Sequence, residues 1–186
     1  STINYQLSTM NNFCAFLRGV NVKGTNMKMA DVCKVFSEAG VQNVSSVLAS
    51  GNILFKSDKD SVELKKILEK AMSGHFNYEA FLFIKDEDEI NYILKNAPFP
   101  PIENFHSYIF LGSEKVEETL LEEFDKSSKA KGEKAKIVNN IFYWQIPKGQ
   151  TLLSDFGKVL GKKSLKDKMT SRNVNTFEKI INKFGK

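Results

Sequence analysis

The chain has 186 residues, 41% of them hydrophobic and 15 of them phenylalanine, with a formal net charge of +5. That is material for one domain, or for two small ones sharing an interface. No apolar run approaches the ~20 residues of a membrane span, and no signal peptide is expected, because the opening residues lack the charged-then-apolar pattern. A cytoplasmic protein is expected, with Cys14 and Cys33 as buried thiols rather than a disulfide.

The charge is unevenly placed. Residues 1–28 hold Arg18, Lys23 and Lys28 and no acid, and residues 162–186 hold eight Lys or Arg against Asp167 and Glu178. The stretch between them is net acidic. Basic ends that met in space would form a patch attractive to anions; the other reading is a solvated lysine tail.

Residues 1–9 are polar and fit no element, so they read as a disordered extension or remnant ahead of Met10. Phe13 to Leu17 is a short apolar run, a strand buried on both faces. It ends at Arg18-Gly19, and the connection VNVKGTNMKM follows before helical spacing begins. Loops between a strand and a helix usually take about 2–6 residues, so this one has either a structural task or a ligand. Gly24 and the next helix N-terminus suit an anion. A P-loop is excluded, because Thr25-Asn26 stand where Lys-Ser/Thr is required.

Val32, Val35 and Phe36 mark a helix face that ends at Gly40. VSSVLAS at 44–50 and NILFKS at 52–57 read as strands around a tight Ser50-Gly51-Asn52 turn. A helix over 60–74 carries Val62, Leu64, Ile67, Leu68 and Ala71 on one side, and YEAFLFI at 78–84 is a further strand. The order is β-α-β-β-α-β, the ferredoxin-like arrangement. Asp86 to Glu89 start the next helix; a charged first turn accounts for them without a metal. Pro98, Pro100 and Pro101 then stop it and read as a linker.

The second half repeats the outline. HSYIFLG at 106–112 is a strand, 114–128 a helix, and 135–146 a hairpin turning at Asn139-Asn140. A helical piece follows over 151–160. In the last segment Val174, Phe177, Ile180, Ile181 and Phe184 keep helical spacing, with Thr170, Ser171, Arg172 and Asn173 as capping groups at the start. Arg172 there opposes the helix dipole, and either holds a carboxylate or phosphate or pairs with Asp167. The expected fold is α+β: two ferredoxin-like halves with antiparallel sheets, residues 10–97 and 98–186, plus a C-terminal helix. Strands apolar on both faces argue against an open sheet that stacks RNA bases.

FLRGVNVKG, KMADV, SGNILF and MTSRNVNTF, in that order, resemble the bacterial family of domain of unknown function 1697. Its members carry LRGINVGG, a KM-x-x-L helix, an SGN hairpin and a closing T-x-RN-W-NT helix. The resemblance spans about residues 10–184, implies a bacterial protein with two ferredoxin-like halves, and brings no established activity. By motif it singles out Arg18, Gly19, Asn21, Lys28, Ser50, Gly51, Asn52, Arg172, Asn173, Asn175 and Thr176 as ligand-binding candidates. Lys23 stands where glycine is usual, and Val174 where tryptophan is usual.

The leading expectation is a soluble binding protein for a phosphorylated or otherwise anionic ligand. Its site would join the 18–28 loop, the 50–52 hairpin and the 170–176 helix start. The alternatives are a nucleic-acid-associated protein with affinity that falls steeply with salt, and an architectural or interaction role for the same motifs. His75 and His106 lie in no recognisable catalytic motif, no Cys/His spacing suits zinc, and no Ser/His/Asp pattern appears. An enzyme is therefore not the favoured reading, and no cofactor is called for.

Overall fold

The computed structural model describes residues 9–20 and 27–186, with the backbone alone at Lys166. The chain divides into two compact units, 1–87 and 88–186. The proline linker was expected to divide it at 97/98; the division falls earlier, so the helix before the prolines belongs to the second unit. The polar extension expected at 1–9 lies outside the described residues except for its last position.

The first unit contains β1 (Asn11–Leu17), α1 (Met29–Glu38), β2 (Gln42–Ser46), β3 (Asn52–Ser57), α2 (Ser61–Phe76) and β4 (Leu82–Asp86). Its antiparallel sheet has the order β2-β3-β1-β4. Phe13 faces Phe55 and Ala15 faces Ile53 across β1 and β3. These residues form one core with Val32, Val35 and Phe36 of α1 and Leu64, Leu68 and Met72 of α2. Cys14 and Phe16, on the opposite face of β1, are also fully buried. An uninterrupted apolar strand thus has both faces out of water, as expected. Neither Cys14 nor Cys33 is in a disulfide.

The buried face of α2 runs Leu64–Leu68–Met72, one residue every fourth position. Val62 was expected on that face but is 65% exposed; its position in the first turn rotates it away from the 64–68–72 stripe. Asp60 caps the helix by accepting from Glu63 N–H at 2.8 Å, and Asn77 ends it in the left-handed region. Asp86 closes β4 rather than opening a helix.

The second unit contains α3 (Glu87–Lys95), β5 (Phe105–Gly112), α4 (Val116–Lys126), β6 (Lys134–Val138), β7 (Ile141–Pro147), α5 (Asp155–Val159), α6 (Lys163–Lys166), β8 (Met169–Asn173) and α7 (Val174–Phe184). Its antiparallel sheet has the order β6-β7-β5-β8, the same interleaving as in the first unit. Asn139 and Asn140, with φ of 49° and 63°, make the expected two-residue hairpin turn. Phe110, Phe124, Phe142, Trp144 and Phe156 form the aromatic centre of its core. On the other face of β7, the Tyr143 hydroxyl donates to Ile93 O at 2.7 Å and fixes α3 to the sheet. The helical piece expected over 151–160 is shorter: Leu152 and Leu153 are 81% and 65% exposed, outside any helix.

The largest difference concerns residues 169–173. They were expected to lead into the last helix as caps. They form an edge strand instead, with Arg172 opposite Ile109 and Asn173 opposite Tyr108. Among the described residues no helix is long and apolar enough to cross a membrane.

Candidate functional site

In the first unit, two of the sequence motifs meet. Leu17 N–H donates to Gly51 O at 2.8 Å and Arg18 N–H to Phe81 O at 2.9 Å, so the chain leaving β1 is held on both sides. Arg18 and Gly19 are half-buried, and Gly19 turns the chain with φ of 80°. Lys28 is exposed at the start of α1 and makes no side-chain cap. Asn21 lies outside the described residues, as does Lys23.

The SGN motif is not the tight turn that its sequence suggested. The connection is a loop over residues 47–51, and Asn52 is the first residue of β3. Asn52 is fully buried. Its Nδ2 donates to Val47 O at 2.8 Å and to Ser50 Oγ at 2.9 Å. Val47 N–H returns a bond to Asn52 O at 2.9 Å. Gly51 sits at φ +86°, and a Cβ there would lie 2.9 Å from Leu17 Cβ and 3.1 Å from Val20 Cγ1. A side chain at this position is therefore opposed by both backbone conformation and space.

The remaining candidates lie in the second unit. Arg172 is buried within β8, and its Nη1 donates to Thr170 Oγ1 at 2.6 Å and to Ser171 O at 2.8 Å. It does not stand in a helix first turn, so the expected conflict with the dipole does not arise. Asn173 is the N-cap of α7, accepting from Asn175 N–H at 3.0 Å. Asn175 is exposed in the first turn, and Thr176 is buried.

Beside this cap lies a cleft of about 440 Å³, lined by Asn173, Val174 and Asn175 but not by Arg172 or Thr176. Leu94, Phe99, Ile102 and Phe105 supply apolar wall, and His106, Lys148 and Glu178 supply polar groups. Three attachments hold the wall in place. Tyr143 fixes α3, whose last turn carries Leu94. Gln145 Nε2 donates to Pro100 O at 3.0 Å and to Ser107 Oγ at 2.9 Å, tying the proline segment to β5. Lys148 N–H donates to Asn104 O at 2.8 Å. Gln145 is buried, and its Oε1 has no hydrogen-bond partner among the described residues.

Asn173 Nδ2 lies 3.2 Å from His106 Nδ1. His106 and Lys148 are among the cleft residues that the sequence did not disclose. The first meets Asn173 only through the pairing of β5 with β8, and the second reads as an ordinary turn lysine. The helix dipole of α7 and the Lys148 ammonium favour negative charge here, while Glu178 keeps the lining close to neutral. A second cavity of about 400 Å³ at the start of α4 is lined by Lys115, Lys162 and Lys168 with Glu114 and Glu123. There Lys162 is engaged with Glu123 at 3.3 Å.

Two four-stranded antiparallel sheets, each built from an interleaved β-α-β-β pattern and followed in the second unit by a terminal helix, define an α+β protein. The chain belongs to the protein family of unknown function DUF1697, whose model matches residues 10–143. The matched range ends in β7, ahead of β8 and α7. The fold is also similar to that of the conserved bacterial protein SP0830 from Streptococcus pneumoniae, with a TM-score of 0.76 at 20% identity. That match covers 94% of this chain and 98% of the other. No curated protein matches.

Proposed function

We propose that the protein binds a small anionic ligand, and that the cleft beside the α7 cap is where it binds. One observation carries this reading: three consecutive residues of a polar motif, Asn173, Val174 and Asn175, line a cavity together with His106 and Lys148. Concave, largely apolar sites with a few convergent polar groups are the usual form of small-molecule pockets. Lys148 would supply the opposite charge and Asn175 a hydrogen bond, while Phe99, Ile102 and Val174 would hold an apolar part of the ligand.

A different reading applies to the SGN motif. Asn52 is fully buried and its amide closes its own loop, which supports an architectural role for Ser50, Gly51 and Asn52. Arg172, bonded inside β8, supports the same view of that residue.

The test is a thermal-shift panel of phosphate, sugar phosphates, nucleotides, small carboxylates and short RNA and DNA. It is run on wild type, Lys148→Gln, Asn175→Ala and, as a first-unit control, Arg18→Gln. A ligand that binds the folded state raises the melting temperature by mass action. The expected result is a small anion that stabilises wild type and Arg18→Gln but not Lys148→Gln. A shift lost only in Arg18→Gln would move the site to the first unit, and no shift with any anion would refute the reading.

A further inference from the structure

The helix cap beside the cleft dictates where the histidine proton sits. Asn175 N–H donates to Asn173 Oδ1 at 3.0 Å, and a backbone N–H is always a donor, so that end of the amide is its oxygen. The other end is then the NH₂ group, a donor only, and it faces His106 Nδ1 at 3.2 Å. A donor aimed at Nδ1 requires a lone pair there, which leaves the ring proton on Nε2. Nε2 has no hydrogen-bond partner among the described residues.

We infer that Asn173 locks His106 as the neutral Nε2–H tautomer, and that the cleft thereby offers a fixed N–H donor to a ligand carboxylate. This rests on the proposed anion-binding role and narrows its ligand class. One lysine and one glutamate line the cleft, so it suits a single negative charge better than a dianionic phosphate. Phe99, Ile102, Phe105 and Val174 suit an apolar body attached to that group. The ligand is a small carboxylate with an apolar or aromatic frame, held between the Lys148 ammonium and the His106 N–H.

The test reads the ring nitrogens of the ¹⁵N-labelled full chain by long-range ¹H–¹⁵N spectra near neutral pH. His75, exposed on α2, is the internal reference. The expected pattern for His106 is an unprotonated Nδ1 and a protonated Nε2. Asn173→Asp keeps an acceptor for Asn175 N–H, so the cap survives, but it offers Nδ1 an acceptor and reverses the tautomer. Asn173→Ser keeps the cap without the NH₂ group, and His106 then averages as His75 does. A protonated Nδ1 in wild type, or the same pattern in all three proteins, would overturn the lock.

Benzoate is the binding probe. Its expected effect is to move the Nε2 signal together with the Val174 and Asn175 amides, and to bind Asn173→Asp roughly tenfold or more weakly. Benzoate that moves those amides but not Nε2 would overturn the donor role and leave anion binding intact. If benzoate has no effect while phosphate acts at the same amides, the carboxylate class is wrong. If no anion acts there, both the class and the reading beneath it fall.

Discussion

Asn52 begins β3 in the first unit, Asn173 ends β8 and caps α7 in the second, and each uses its side chain to hold the chain at that point. They differ in what the amide is left facing. Asn52 is fully buried and gives its NH₂ group to Val47 O and Ser50 Oγ of its own loop. Asn173 gives its oxygen to the helix it caps and its NH₂ group to a histidine that lines a cleft. The first arrangement ties the loop to its own strand. The second passes its geometry on to a group that a ligand can reach. On the proposed function, polar motifs of similar appearance divide into one that builds the fold and one that orients a site.

The division can be broken most forcefully at Gly51. Alanine there meets both a left-handed backbone and the Leu17 side chain, and together these should cost about 2–4 kcal/mol. Chemical denaturation measures it; a loss below ~1 kcal/mol would show that the loop adapts. Asn52→Ala removes two bonds from a buried group and should cost about 2 kcal/mol, with ligand binding at the cleft unchanged. Binding lost without loss of stability would transfer Asn52 to the functional side of the comparison.

Asn173→Ala should cost about 1 kcal/mol as a lost N-cap, with Asn173→Ser recovering most of it. Tyr143→Phe, which frees Ile93 O and loosens α3, should cost about 1 kcal/mol near neutral pH. Burial, with a smaller effect of Tyr92, pushes the Tyr143 hydroxyl up to about 12. Burial and the Glu69 carboxylate do the same to Tyr78. For both, the folded value lies above the unfolded value of about 10, so the neutral phenols stabilise the fold fully below pH ~10. That stability is lost as the pH rises through about 12. Melting curves across this range should show the loss, and a smaller one in Tyr143→Phe.

The smallest effect on stability is expected at Lys148. Its side chain is exposed, so Lys148→Gln should change stability by less than about 0.5 kcal/mol. It should nonetheless weaken anion binding. A large loss of stability would place Lys148 among the structural residues instead.

Much of this architecture is written locally. The β1 run, the 64–68–72 stripe of α2 and the Asn139-Asn140 turn each follow from spacing or from a backbone requirement within a few residues. Both units could be outlined on that basis. Strand β8 could not. Its sequence MTSRN offers Met169 as its only apolar anchor, and its place at the sheet edge is set by pairing with β5, some sixty residues away. The same distance hid His106. Nothing near it in sequence marks it, and only the β5–β8 register brings Asn173 against its ring. Asn173 itself was legible, because a cap followed by helical spacing is a local signal. Val62 shows the opposite failure, an apolar residue expected on the buried face of α2 that the fold leaves in water.

The most direct test of the contrast between the two units is a ¹H–¹⁵N amide titration of the full chain with the anion that stabilises it most. The expected result is a cluster of shifts at Val174, Asn175, His106 and Lys148, with Val47 to Asn52 unmoved. Shifts centred on Ser50, Gly51 and Asn52, with the cleft silent, would contradict it and make that loop the site.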